Sequence, residues 1–218
     1  MAGPAAALES GAMHSGLFIA FEGGEGAGKS TQSQLLAALL RDRGETVILT
    51  REPGGTAAAE AMREIVLDPQ YEGLDARAEA LLFAASRGDH VTQVIRPALE
   101  RGDTVITDRY LDSSVAYQGI GRELGVDTVR NLSLWATRDL VPDLTIVLDI
   151  DPQLGLSRLN NPDRLEAEPL AWHRRVRDGF VELAAAAPQR YLVLAADASV
   201  DALADSIAAR VDTLTVSE

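Results

Sequence analysis

Residues 17–31 read LFIAFEGGEGAGKST: an apolar run, a glycine-rich loop, and a Lys-Ser-Thr that opens an amphipathic stretch. The apolar run, 17–22, predicts a buried strand. Residues 30–43, with Leu35, Leu36, Leu39 and Leu40 recurring at helical spacing, predict the helix after it, with Gly44 as its C-cap. Between them, 23–30 (GGEGAGKS) match G-x-x-x-x-G-K-[ST] in the strand–loop–helix setting that such a phosphate-binding loop needs. Gly23, Gly24, Gly26 and Gly28 permit backbone N–H groups to close around phosphate oxygens, and the helix adds its positive N-terminal end. Lys29 can bridge the outer phosphates of a nucleoside triphosphate, and the Ser30 hydroxyl can ligate Mg²⁺. An ordinary glycine-rich turn is the competing reading; the flanking strand and helix speak against it.

Outward from this loop, short apolar runs alternate with helical patterns. Strands are expected at 46–49, 103–107, 144–149 and 191–194. Helices are expected at 57–67, at 76–100 with Pro97 as a kink, through a region containing Trp172 and Phe180, and at 200–214. Strands that are apolar throughout and separated by helices predict a parallel sheet covered on both faces, a three-layer α/β/α sandwich of five parallel strands. Ligands are then expected beyond the carboxyl ends of the strands. The pattern gives one domain over 17–214, preceded by a small-residue extension, 1–16, that is expected to be disordered and does not read as a signal peptide.

The 218 residues carry 33 acidic and 20 basic side chains, a net charge of −13, which argues against a general nucleic-acid partner. Cysteine is absent, so disulfides and thiolate metal sites are excluded, in keeping with a reducing, cytoplasmic setting. No apolar run is long enough to span a bilayer, so no membrane association is expected. Lys29 is the single lysine; every other basic residue is an arginine or a histidine.

Two loops share the expected strand edge with the phosphate loop. Residues 107–110 (TDRY) place Asp108 where it can hold Mg²⁺ or its water, and Arg109 beside a transferring phosphate. A surface charge pair is the competing reading. Residues 50–56 (TREPGGT) combine a Pro-Gly-Gly turn with Arg51, another cation at that edge. Phe83 and Arg87 share a helix face at i and i+4, so a ring can stack on a planar base while a guanidinium donates to its carbonyls. Residues 113–119 (SSVAYQG) add hydroxyls, a phenol and an amide. His14, His90 and His173 lack metal-ligand spacing and read as surface or structural, and Trp135 and Trp172 as core or interface.

These motifs together resemble the thymidylate kinase family in its bacterial form, from about residue 17 to 214. The matching stretches are EGGEGAGKST (22–31), TREPGGT, LLFAASR (81–87), DRY (108–110), SSVAYQG and DRLEAE (163–168). The resemblance implies a P-loop fold of the nucleoside monophosphate kinase type, ATP- and Mg²⁺-dependent phosphorylation of dTMP to dTDP, a homodimer, and a role in dTTP supply. It implies that Gly23 to Thr31, including Glu25 and Ala27, hold ATP with Arg158. It also implies that Phe83 stacks on thymine, Arg87 meets its carbonyl edge, Ser114 and Gln118 hold the base, and Tyr117 crowds the 2′ position. Glu25, Arg51 and Arg109 would serve the acceptor sugar and phosphate, and Ser30 and Asp108 the metal. Lys29, Asp108, Arg109 and Arg164 form the expected catalytic set.

The lid departs from the family's pattern. Where relatives whose P-loop lacks arginine carry several arginines, the segment around 157–168 is short and holds Arg158 and Arg164. Arg164 as the catalytic arginine competes with a local pair to Asp163 or Glu166. A kinase for another nucleotide or nucleoside, and a P-loop switch that transfers nothing, remain the alternatives; no N-K-x-D guanine signature is present.

Overall fold

The structure, a computed structural model, describes residues 16–215. Apart from Gly16, the expected extension 1–16 lies outside the described residues.

Five parallel strands run β1 (Phe18–Gly23), β2 (Val47–Arg51), β3 (Thr104–Asp108), β4 (Leu144–Asp149) and β5 (Tyr191–Ala195), in the order β2-β3-β1-β4-β5. Alternation along β1 feeds both faces. Ile19 and Phe21 pack under α1 (Lys29–Asp42) and α9 (Val200–Thr215), while Phe18 and Ala20 pack on the other face against Ile95, Leu99 and Tyr110. The three-layer sandwich expected from the sequence is therefore present.

Local chemistry sets the helix ends. At α1, the Glu45 amide donates to the Leu40 carbonyl and the Gly44 amide to that of Arg41, with Gly44 at φ +92°, a Schellman closure. In that helix Leu36 and Leu40 enter the core, whereas Leu35 stays largely exposed. Thr56 caps α2 (Ala57–Leu67) by accepting from the Ala59 amide, and Asp75 caps α3 (Ala76–His90) by accepting from the Arg77 and Ala78 amides. The helix expected over 76–100 is interrupted by a π turn, Val91–Ile95, before α4 (Arg96–Glu100). Pro97 brings no N–H to the ladder, and the wider turn ahead of it takes up that loss.

After β3 come α5 (Leu111–Ser114) and a π-helical segment, Val115–Gly121, then α6 (Val126–Thr137). Past β4 follow α7 (Pro152–Ser157) and α8 (Leu170–Ala186), whose Trp172, Val176 and Phe180 close a third cluster with Phe83 and Tyr117. Trp172 is thus core, but Trp135 is 81% exposed, so the core reading fails for it.

Candidate active site

The strand register does the first part of the assembly. Arg51 pairs with Asp108 across β2–β3, Phe21 pairs with Asp108 across β3–β1, and Gly23 with Leu148 across β1–β4. Arg51, Asp108 and the glycine-rich loop therefore leave the sheet side by side at its carboxyl edge, as the sequence predicted.

Within the loop, Gly26 has φ +65°, and a Cβ there would lie 2.2 Å from the Gly155 carbonyl oxygen, so only glycine fits. Lys29 Nζ donates to the Gly24 (2.7 Å) and Gly23 (3.2 Å) carbonyls, which folds its ammonium across the loop mouth. Burial lowers its pKa, and Arg109 lowers it further, against the pull of Glu25, Asp108 and Glu22. Ser30 Oγ donates to Asp108 Oδ2 at 2.5 Å. A hydroxyl and a carboxylate, both hard oxygen donors, meet at the phosphate loop; that donor set fits magnesium.

Arg109 is the hinge between two cavities. It adopts φ +72°. Its guanidinium donates to Glu25 (2.8 Å), the Gly23 carbonyl (3.2 Å) and Ser113 Oγ (3.1 Å). Tyr117 also donates its hydroxyl to Glu25 at 2.5 Å. Burial alone would raise the Glu25 pKa, but Arg109, Lys29 and the Tyr117 hydroxyl outweigh it and hold the carboxyl at about 2. Burial pushes the Tyr117 phenol well up, with Glu25 adding to the effect, so it stays a donor.

One cavity is lined by phosphate-loop residues 25–31 with Arg51, Asp108 and Arg109. The other is lined by Phe83, Ser114, Tyr117 and Gln118 among others. Glu25, Glu52, Arg63 and Arg109 line both, so the two spaces meet at one charged wall.

Three expected residues hold partners that the sequence did not show. Arg87 is 2% exposed and does not line the second cavity. It donates to Glu52 (2.7 Å), Ser133 (3.1 Å), the Tyr110 carbonyl (3.0 Å) and Ser114 (3.1 Å), behind the pocket wall. Arg51 lines the phosphate-loop cavity and not the one beside Phe83, half exposed and bonded to Glu60 and the Pro53 carbonyl. Arg158 donates to the Gly26 carbonyl (2.8 Å) from outside the loop.

Arg164 lies apart from the phosphate loop's cavity. It lines neither of these two cavities and makes neither expected pair with Asp163 or Glu166. It is 8% exposed, and its guanidinium donates to the Val66 carbonyl and to Glu79 (2.7 Å). Glu79 is fully buried and draws the cation inward. The catalytic role expected for Arg164 is therefore not supported by its place in the fold.

Sequence reasoning missed Glu22, Glu52, Arg63, Asp163 and Glu166. The last two carried a signal: Asp163 accepts from the Glu166 amide while Glu166 accepts from the Asp163 amide, a reciprocal D-x-x-E cap. His90, read as surface or structural, is wholly buried between Thr50 and Glu52.

Comparison with known proteins agrees with this geometry. The family model described as thymidylate kinase matches residues 21–207. The thymidylate kinase of Bifidobacterium longum strain DJO10A is 52% identical over 193 residues, covering 87% of this chain and 94% of that one. That of Deinococcus radiodurans is 52% identical over 202 residues, covering 91% and 98%. The crystal structure of thymidylate kinase from Ehrlichia chaffeensis superposes with a TM-score of 0.75 at 33% identity, covering 90% of this chain and 98% of that one. On a phosphate loop joined by one charged wall to an aromatic pocket, and on these relatives, the chain belongs to the thymidylate kinase family.

Proposed function

We propose that the chain phosphorylates dTMP to dTDP with ATP, in dTTP biosynthesis. The observation that carries this reading is the shared wall: a triphosphate-binding loop and a base-sized aromatic pocket open onto the same Arg109, Arg63 and Glu25.

In this reading the loop amides and Lys29 hold the ATP phosphates, exchanging the loop's own carbonyls for phosphate oxygens. Phe83 stacks on thymine, with Ser114 and Gln118 at its edge and Tyr117 beside the sugar. Arg109 and Arg63 clamp the acceptor phosphate between the two cavities, and Arg51 serves the ATP side. An acceptor phosphate oxygen is already an anionic nucleophile near neutral pH, so positioning and charge neutralisation supply the rate. Ser30 and Asp108 would hold magnesium, which when bound neutralises phosphate charge.

The domain reading is a single kinase domain, 17–214, with a short lid around 157–168. Residues 160–162 are exposed, whereas Arg164 and Leu165 are buried in the body. Arg158, at the exposed start of that segment, is then the arginine available to ATP. The chain is read as a cytoplasmic homodimer without nucleic-acid or membrane partners. Among the described residues no helix is long and apolar enough to cross a membrane. Among the described residues the two most exposed large apolar side chains, Trp135 (81%) and Leu81 (57%), lie on α6 and α3, which pack on each other and offer the dimer face.

The test is a coupled assay with ATP and Mg²⁺, offering dTMP beside dUMP, dCMP, dAMP, dGMP and thymidine. ADP release strongest with dTMP is expected. Turnover of another acceptor in its place would overturn the base assignment, and no transfer to any acceptor despite ATP binding would overturn the kinase reading.

A further inference from the structure

Glu79 in α3 is wholly buried, and every group that meets its carboxylate is a donor. Oε2 accepts from Arg164 (2.7 Å) and Arg122 (3.3 Å), and Oε1 from Arg122 Nε (3.3 Å) and Gln118 Nε2 (2.8 Å). The phosphoryl-transfer chemistry described above uses none of this network. Its one link to the acceptor pocket is Gln118, which lines that pocket beside Phe83 and Ser114.

An amide is two-faced: its NH₂ donates and its carbonyl accepts. A carboxylate held between two guanidinium groups offers only acceptor oxygens, so Gln118 has one workable orientation, NH₂ toward Glu79 and carbonyl oxygen away from it. Among the described residues, Gln118 Oε1 accepts no hydrogen bond. Ser114 Oγ, in turn, accepts from Arg87 and retains its own hydrogen to donate.

We infer that Glu79, backed by Arg122 and Arg164, is a specificity-positioning residue that locks the Gln118 amide so its carbonyl oxygen faces the base. The inference rests on the dTMP reading and deepens it. Thymine carries a ring N–H between two carbonyls. A fixed acceptor from Gln118 meets that N–H, and the Ser114 hydroxyl can donate to a neighbouring carbonyl. Cytosine has a lone pair at the same ring nitrogen, and two acceptors then face each other with neither desolvated group paired. Without the Glu79 carboxylate the amide is free to turn over and serve either edge.

The experiment compares kcat/KM for dTMP and dCMP in the wild type, Glu79→Gln and Glu79→Asp. The wild type must first turn over dTMP; if it does not, the dTMP reading falls and this inference with it. Glu79→Gln, able to donate or accept toward Gln118, is expected to lower the dTMP:dCMP ratio about tenfold or more, with KM for ATP unchanged. Glu79→Asp, still acceptor-only, should keep most of the ratio. A merely structural defect would depress both acceptors together, so an unchanged ratio in Glu79→Gln overturns the inference. Should that variant not fold, N3-methyl-dTMP and dCMP offered to the wild type decide. Rejection of both by about 100-fold or more supports the locked acceptor, and turnover of either within a few-fold of dTMP overturns it.

Discussion

Two glutamates three residues apart show how environment, not residue type, sets charge. Glu25 faces Arg109 and Lys29 and is held at a pKa of about 2. Glu22, at the end of β1, is raised to about 7 by burial and by the buried Asp112. The Ser113 hydroxyl, Arg109 and the Tyr110 amide oppose that rise only in part. Its oxygens accept from the Tyr110 (2.9 Å) and Ser113 (3.0 Å) amides and from Ser113 Oγ (2.5 Å). The signs differ accordingly. Glu25 contributes stability that is present above pH 4.5 and is lost as pH falls toward 2. For Glu22 the folded state binds the proton more tightly, so stability falls as pH rises from 4.5 to about 7 and then levels. Glu22→Gln should remove that decline, widening its stability relative to wild type by on the order of 3 kcal/mol across that window. Urea denaturation at pH 5, 6, 7 and 8 reads this directly, and parallel profiles would clear Glu22 of the effect. Arg109 is one of four residues that line both cavities, and Arg109→Ala should lower kcat by about 10²–10³-fold. Near wild-type kcat and KM for dTMP would remove it from the phosphate clamp.

At the scale of elements, the segment after α7 divides in two. Residues 163–168 are fixed by the Asp163–Glu166 cap and by Arg164, which reaches Val66 and Glu79. Arg164→Ala takes the nearer cation from the buried Glu79 carboxylate, leaving it Arg122 and Gln118, and should cost about 2 kcal/mol of folding stability, checked by urea denaturation. Arg158→Ala removes an exposed side chain with one bond to the loop, so stability should hold while KM for ATP rises or kcat falls. The opposite pattern would restore Arg164 to the lid. The same contrast shows how far the sequence could be read. Helix α2 and strand β4 fall on their expected bounds, because a run of like periodicity ends at a cap or turn that the residues themselves supply. Phe83 and Arg87 share a helix face as their spacing requires. Arg87's partners, however, come from β2–α2, α5 and α6, and no local period encodes Glu52, Ser114 or Ser133. The π-helical segment 115–121 was illegible for a related reason: its packing against α6 and α8, not local propensity, sets its turn.

At the scale of the molecule, an acidic chain gathers Lys29, Arg51, Arg63 and Arg109 around one sheet edge, so anionic substrates meet a local positive site there. The opposite requirement applies to the α3–α6 face, where Trp135 and Leu81 stand in water. A tryptophan buried between copies commonly dominates an interface. The same two helices support the acceptor pocket from behind: α3 carries Phe83 and Arg87, and α6 supplies Ser133 to Arg87. Association through this face would therefore stiffen the wall proposed for thymine stacking, while leaving the phosphate loop, which lies between β1 and α1, untouched. In the proposed homodimer, Trp135→Glu places a carboxylate on that face. It should shift the protein to monomer in sedimentation velocity and raise KM for dTMP several-fold with little change in KM for ATP. A Trp135→Glu protein that stays dimeric would move the interface elsewhere, and a monomer with unchanged KM for dTMP would uncouple assembly from the pocket.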